Sequence, residues 1–388
     1  MKKKNLISLN LEKEIKGLAI CRKGAKWINF GRQNNYPSIL SALYYNSTVH
    51  KACCDFAITA IYGKGLEQND IVANTTPNNM YTWDELIKNI ITDYVIFGSF
   101  AFQVIMNKDR KTYSFYHQPI SSIRIAEDEV NYYICKNWQE TSKFPPEFIE
   151  SMNFAEDEKL QYGKRYLYVY KQYAPDADYY AVPSYIAAIK AIQSDIELTN
   201  FDLKAIVNNF NASGMLLLPS VADEEEKQEI IRQLQNAYKG SENANSLIIN
   251  FIDSLDNNGT PVQFIPFNKV SDDIDVFAQM NNRTIDRIVS AHKVPNKSLI
   301  GMPTDSASLG GDGNILNTSW NLYNNTVAKS MRDTIVKNLT KIFKLNGLEI
   351  ELKLKELDFS VTDNTQNNNN TSVEDNNIGD IEDDNTPN

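Results

Sequence analysis

The stretch that decides the fold is SDDIDVFAQMNNRTIDRIVSAHKVPNKSLIGMPTDSASLGGDGN, residues 271–314. Its first half predicts an amphipathic helix, because apolar side chains and one asparagine recur every three or four residues at 274, 277, 281, 285 and 288. Ser271 is a suitable N-cap, and the acids that follow it lie where the helix dipole favours negative charge. Pro295 cannot continue a helix, and the glycines at 301, 310, 311 and 313 predict a loop after it.

Two more long helices flank this stretch in the sequence. After the loop, apolar side chains recur at helical spacing from Ile315 to Ile342, and Asn346-Gly347 predicts a left-handed helix end. Upstream, apolar or small residues alternate at four and three residues from Tyr185 to Phe210, which predicts a helix roughly 39 Å long. Charged residues occupy its other face: Lys190, Asp195, Glu197, Asp202 and Lys204. Coiled-coil pairing is the alternative interpretation of that helix.

Residues 211–270 lie between the helix predicted over 185–210 and the helix that starts at Ser271, and they predict a small α/β unit. Met215 to Leu218 reads as a short buried strand that ends at a proline, and Asp223 to Tyr238 reads as an acid-led amphipathic helix. Ser246 to Asp253 and Pro261 to Phe267 are strand-like runs, separated by an Asp-Asn-Asn-Gly turn signal.

The first 184 residues mix helix and strand patterns. Helices are predicted over 36–45, over 47–61 with Ser47 or Thr48 as N-cap, and over 83–95. Strands rich in aromatic and β-branched residues are predicted over 98–105, 113–117, 122–125, 131–135 and 165–170. The twenty tyrosines fit sheet packing better than base stacking, because they alternate with apolar residues in these strands.

Composition excludes several classes of function. The four cysteines form no C-x-x-C pair, and the three histidines His50, His117 and His292 are isolated in the sequence, so no zinc site, cofactor or catalytic site is predicted. His292 reads as a histidine interacting with the dipole at a helix C-terminus. No nucleophile elbow or phosphate loop is present, and no signal peptide or membrane-spanning run is predicted. We therefore expect a protein that is not an enzyme.

The net charge of the chain distinguishes a channel wall from a protein that binds DNA tightly. The chain carries a net charge of −10, and residues 363–388 hold seven acids, nine asparagines and no basic residue, a composition that predicts a disordered tail. Tight duplex binding requires a basic face, because neutralising phosphates supplies most of the affinity. The chain lacks that excess of positive charge, so strong DNA binding is not expected.

The order of elements resembles the portal proteins of tailed bacteriophages. The family carries a helix that ends in I-x-x-x-x-x-V-P, matched here by Ile288 to Pro295, followed by a leucine and a glycine, matched by Leu299 and Gly301. A second match is the I-x-G-x-G-L exit from an early helix, present at residues 61–66. The asparagine and glycine that follow the family's first stem helix are partly matched in residues 208–214.

The resemblance implies an α+β portal fold. It implies an N-terminal arm and α/β wing at 1–184, a first stem helix at 185–210, a clip at 211–270 and a second stem helix at 271–294. A tunnel loop at 295–314, a tunnel helix at 315–346, a closing wing strand at 347–362 and the acidic tail at 363–388 complete the expected division.

The same resemblance implies a role and partners. We expect a ring of typically twelve subunits at one capsid vertex of the virion, assembled in the host cytoplasm. Double-stranded DNA passes through such a ring without sequence-specific binding during packaging and ejection. The expected partners are the major capsid protein, a terminase and a head-tail adaptor, with no membrane. The alternative is an intracellular helical scaffold without a DNA channel.

Two sets of candidate site residues follow from the resemblance. The candidate residues of the DNA-facing tunnel loop are Thr304, Asp305, Ser306, Ser308 and Asp312. The candidate channel-lining acids of the stem helices are Asp195, Glu197, Asp272, Asp273 and Asp275. For the acids, an ordinary solvated helix surface is an equally good interpretation, and for the loop the alternative is a mobile surface loop that contacts no DNA.

Overall fold

The computed structural model describes most of the chain between residues 19 and 357. The described residues are 19–21, 26–67, 72, 74–152, 160–207, 214–219, 223–237, 247–252, 263–266, 270–302, 313–350 and 352–357. Mixed helix and sheet, the predicted class, is confirmed within them. The acidic tail predicted at 363–388 lies outside the described residues.

Three helices and a six-stranded sheet make up the N-terminal half. The helices are α1 (Tyr36–Asn46), α2 (Thr48–Tyr62) and α3 (Trp83–Phe97). Local capping fixes their bounds, because the Ser47 side chain accepts a hydrogen bond from the first turn of α2 and Thr82 forms a capping box with Glu85 at the start of α3. These helices confirm the three predicted over 36–61 and 83–95 to within two residues at each end.

The sheet has the order β4-β3-β8-β7-β6-β5. Its strands are β3 (Ser99–Met106), β4 (Tyr113–His117), β5 (Ile123–Ile125), β6 (Tyr132–Ile134), β7 (Glu147–Ser151) and β8 (Arg165–Lys171). All neighbouring pairs are antiparallel except β7 with β8. Five of the six strands confirm predictions, whereas β7 was not predicted. A separate two-stranded ladder joins β1 (Ala19–Cys21) to β2 (Ile28–Phe30).

The helices predicted over 185–210 and 271–294 are both present, and both are shorter than predicted. A 3-10 turn at Ile186–Ala188 leads into α4 (Ile189–Val207), so the α-helix starts four residues later than predicted. The later helix, α6 (Val270–Ala291), ends three residues earlier than predicted. Lys293 adopts φ +57° and the Val294 amide bonds back to the Val289 carbonyl at 3.1 Å, which closes the helix before Pro295 is reached.

A small α/β unit lies between these two helices in the chain. It contains β9 (Gly214–Pro219), α5 (Glu224–Ala237), β10 (Leu247–Ile252) and β11 (Gln263–Pro266). Strand β9 is central, with β10 parallel to it on one side and β11 antiparallel on the other. All four elements were predicted from the sequence.

The last long helix is continuous but not uniform. It consists of α7 (Gly313–Tyr323), one π-helical stretch (Asn324–Ala328) and α8 (Lys329–Leu345), and it ends before Gly347 at φ +71°. Its end is fixed to the large sheet, because the Asn346 side chain bonds to both the amide and the carbonyl of Tyr113, at 2.7 and 3.0 Å. The π-helical stretch was not predicted.

The closing strand predicted over 347–362 requires a correction. Among the described residues of that segment, only Leu354 is assigned to a β-bridge, with Leu66. Three further backbone bonds of 2.8–2.9 Å link residues 64–67 to 353–355. The pairing is short because residues 64–67, with which this segment pairs, begin at the turn after α2. Gly63 and Gly65 both adopt positive φ values there, which a regular strand does not contain.

Candidate functional site

Helices α4 and α6 lie side by side, as predicted for the two stem helices. The end of α6 is next to the start of α4, because the ring of His292 stacks on the ring of Tyr185 with 5.2 Å between centroids and 19° between planes. The contact buries Ile189 and Ile192 from α4 and Ile288 from α6. The helix pair is thus held at one end by a compact apolar and aromatic junction.

The start of α2 fixes α4 in the same junction. The Ser47 hydroxyl donates a 2.7 Å hydrogen bond to the carboxylate of Asp195 and accepts one from the His50 amide at 3.2 Å. Only 6% of Asp195 is exposed within the protomer. The sequence-based prediction that Asp195 lines a channel is therefore wrong, since this carboxylate is directed inward to satisfy the cap of a neighbouring helix.

The other four candidate acids are less fully described. Glu197 is exposed on α4, one turn of helix from residues that pack inward. Asp272, Asp273 and Asp275 lie in the first two turns of α6, and their side chains fall outside the described residues. Their channel-lining role stays a prediction.

The candidate tunnel-loop residues Thr304, Asp305, Ser306, Ser308 and Asp312 all lie outside the described residues. The segment that leads to them is well fixed. The Asn296 side chain caps a 3-10 turn over Lys297–Ile300, which ends at Gly301 with φ +79°. The Lys297 ammonium forms a 2.6 Å ion pair with Asp286 of α6. The loop therefore starts from a turn that is held against the second stem-like helix.

A buried arginine ties the π-helical stretch to the end of α2. The Arg332 guanidinium donates to the carbonyls of Ala60 and Ile61 at 2.8 and 3.2 Å, and to the Asn324 side chain at 2.9 Å. It also forms a 2.6 Å ion pair with Glu356, which in turn accepts from Asn324 at 2.8 Å. A π-bulge is often a functional feature of a helix, and here it holds the polar residue that completes this network.

The histidines are not all isolated in space, contrary to the sequence-based prediction. His50 Nδ1 and His292 Nε2 are 2.9 Å apart, and His292 is buried against α2 rather than merely placed at a helix end. His117 contacts the carboxylate of Asp93 at 2.9 Å. No local signal predicts the first pair, because its members are 242 residues apart in the sequence.

Within the described residues, no helix has both the length and the apolar character needed to span a membrane.

The family model described as phage portal protein matches residues 68–375.

Solved structures with a similar fold come from gene transfer agent particles. A chain in the neck of a native particle, computed with C12 symmetry, superposes with a TM-score of 0.55 at 15% identity, covering 82% of this chain and 83% of that one. A chain in the neck of an empty particle, computed with C6 symmetry, gives a TM-score of 0.53 at 14% identity, with 82% and 84% covered. A chain in the native virion gives 0.54 at 15% identity, with 82% and 83% covered. At these identities the likeness concerns the fold.

Proposed function

This chain belongs to the phage portal protein family, and from that premise we propose that it forms a closed ring at one vertex of a capsid. Double-stranded DNA passes through the ring when the genome is packaged and when it is ejected. The observation that carries the proposal is the match of the family over residues 68–375. The fold likeness to a neck chain computed with C12 symmetry supports a ring of twelve subunits.

The helix pair and the loop are the proposed channel elements. In this assignment α4 and α6 form the stem, the unit over 214–266 forms the clip, and the large sheet with α1–α3 forms the wing. Loop residues 303–312 would then face the DNA, with Thr304, Asp305, Ser306, Ser308 and Asp312 as its polar side chains. A glycine-rich loop suits this role, because it can change shape as DNA moves past.

Charge supports a passive conduit. The net charge of −10 disfavours tight phosphate contacts, each of which would slow the sliding of DNA. Glu197, Asp272, Asp273 and Asp275 are the acids that we propose to repel the duplex from the wall. The protein itself is proposed to have no enzymatic activity and no cofactor for this role. Packaging energy then comes from the terminase, which docks on the ring together with a head-tail adaptor, while the major capsid protein surrounds it.

Two measurements test the ring. Negative-stain imaging and native mass spectrometry of the purified chain should show closed particles, with a mass that is a fixed multiple of 44.1 kDa. Twelve copies are the expected multiple. A chain that stays monomeric, or that forms only open assemblies of variable mass, would contradict the portal proposal and favour the helical scaffold.

A deletion tests the loop. Removing residues 306–312 leaves Gly313, the first residue of α7, in place. We expect rings to assemble normally and DNA filling or retention to fall. A matched control keeps the loop length and changes its charge only, through Asp305→Asn and Asp312→Asn, and should separate the effect of shape from that of charge. Normal filling by the deletion variant would exclude the proposed loop role.

A further inference from the structure

Three metal-binding side chains meet inside the junction of α2, α4 and α6. His50 and Cys54 lie one helical turn apart on α2, and His292 follows the last residue of α6. His50 Nδ1 lies 2.9 Å from His292 Nε2 and 3.7 Å from Cys54 Sγ. One ligand atom from each residue lies within 4.8 Å of the other two. The proposed portal function does not use this cluster.

The cluster is enclosed. His50 and Cys54 have no exposed surface, and His292 is 8% exposed. The ring of Tyr185 covers both imidazoles, with centroids 4.4 Å from His50 and 5.2 Å from His292. The Tyr185 hydroxyl points elsewhere, to the Ile96 carbonyl at 2.6 Å. The donor set that remains is therefore one thiol and two imidazoles.

Burial keeps the imidazoles in their ligand form. It lowers the pKa of His50 to about 3, with a further lowering from His292, and it lowers the pKa of His292 to about 4. Both rings are thus neutral at physiological pH, and each has one unprotonated nitrogen. In the pair, the unprotonated nitrogen of one ring accepts a hydrogen bond from the other ring. Burial also raises the pKa of the Cys54 thiol. A metal ion that binds the sulfur displaces the thiol proton.

We propose that His50, Cys54 and His292 bind one d10 cation, Zn²⁺ or Cu⁺, which fastens α2 to the end of α6. Sulfur and imidazole nitrogen are the ligands that both ions accept, and no carboxylate belongs to the described cluster. Binding replaces the His50–His292 hydrogen bond with two metal–nitrogen bonds, and the ring that donates in that bond shifts to its other tautomer, so that its proton moves to its second nitrogen. It also forms one metal–sulfur bond, and the thiol proton passes to solvent. Cu⁺ is satisfied by three ligands, whereas Zn²⁺ takes a water as its fourth.

The distances are close to those of a bound ion. Zinc–nitrogen bonds of about 2.0–2.1 Å and zinc–sulfur bonds of about 2.3 Å place two nitrogens roughly 3.3 Å apart and a nitrogen and a sulfur roughly 3.6 Å apart at tetrahedral angles. The His50–His292 and His50–Cys54 separations, 2.9 and 3.7 Å, differ from these by less than about 0.5 Å. The third separation, between Cys54 Sγ and the ring nitrogen of His292, is no more than 4.8 Å.

The test begins with purified protein that has been stripped by a chelator and then loaded with Zn²⁺ alone or with Cu⁺ alone under reducing conditions. After desalting, elemental analysis should find one ion per chain in at least one of the two arms, and the melting temperature should rise with it. Co²⁺ as a probe should give a thiolate charge-transfer band. No retained ion in either arm would overturn the proposal.

The chain offers a matched control. Cys54→Ser removes one ligand and should lower metal affinity by at least ~100-fold, since loss of an outer-shell partner alone costs about 10–100-fold. Cys53→Ser changes the adjacent cysteine, which is also fully buried but lies outside the cluster, and should bind metal normally. Equal binding by both variants would refute the site.

A second readout does not depend on the folding of a variant. In the unaltered chain under partial denaturation, bound metal should protect Cys54 from alkylation while Cys53 and Cys135 react at unchanged rates, as mapped by mass spectrometry. Equal protection of all three thiols would indicate general stabilisation and would contradict direct ligation by Cys54.

Discussion

Replacement of Arg332 by methionine should destabilise the protein strongly, because the guanidinium satisfies buried acceptors that have no other donor in the described network. Only 4% of Arg332 is exposed. Two of its acceptors, the carbonyls of Ala60 and Ile61, belong to the last turn of α2, where helix geometry leaves carbonyls without an intrahelical partner. The positive charge also suits the negative end of the helix dipole.

The magnitude follows from the number of acceptors that lose a partner. Two carbonyls and the Asn324 amide oxygen lose their bonds to Arg332, and each buried unsatisfied group costs about 1–3 kcal/mol. We expect the free energy of unfolding to fall by about 3–9 kcal/mol, the sum over these three groups. Glu356 is different, because its side chain is 51% exposed and water can replace the lost partner. Glu356→Gln should cost less than about 1 kcal/mol.

Equilibrium urea unfolding, followed by tryptophan fluorescence, measures both variants against the unaltered chain. Hydrogen exchange at the last turn of α2 gives a local readout and should accelerate in Arg332→Met but not in Glu356→Gln. A cost under about 1 kcal/mol for Arg332→Met, or equal costs for the two variants, would show that Arg332 does not satisfy these acceptors.

Two further substitutions test the ends of α2. Ser47→Ala removes both the helix cap and the donor to buried Asp195, and should cost about 2–3 kcal/mol in urea unfolding, whereas Ser47→Thr should retain most of the stability. Gly63→Ala places a Cβ 2.0 Å from the Lys355 carbonyl oxygen at φ +62°, and should cost about 2–4 kcal/mol. Gly163→Ala is the control for Gly63→Ala, because φ is +86° at Gly163 but no atom lies within 4 Å of the added Cβ. Only the backbone cost of about 1 kcal/mol should therefore remain at Gly163. Equal costs at the two glycines would exclude the steric explanation.

Local signals were sufficient to predict most elements of the fold. Ser47 as N-cap located the start of α2, the helix predicted over 83–95 corresponds to α3, and β4 was predicted with its observed bounds. Strand β7 was not predicted because buried and exposed residues alternate only weakly along it, and because two of its five residues, Glu147 and Glu150, are charged. Its place in the sheet depends on pairing with β6 and β8, which no local pattern reports.

The π-helical stretch and the contacts between residues far apart in the sequence could not be predicted in the same way. The apolar stripe of the last helix passes through Val327 without interruption, so the sequence gives no sign of the π-helical stretch. That stretch holds Asn324, whose partners lie 8 and 32 residues away. His50 and His292 are separated by 242 residues, and only the fold brings them together. For the same reason the sequence places Asp195 on the charged face of its helix, although in the structure its carboxylate accepts a hydrogen bond from Ser47.

These contacts make α2, a helix of 15 residues, the common support of the proposed channel elements. Ser47 at its start holds α4, His50 in its first turn contacts the residue after α6, and the carbonyls at its end are held by Arg332 from α8. The segments before and after loop residues 303–312 are thus both fixed to one helix. If residues 303–312 face DNA as we propose, they do so from between these two fixed points. Loosening α2 at any of the three contacts should therefore impair DNA retention even when the loop sequence is unaltered. Arg332→Met is the sharpest case, since it acts 20 residues beyond the loop and leaves every loop residue unchanged.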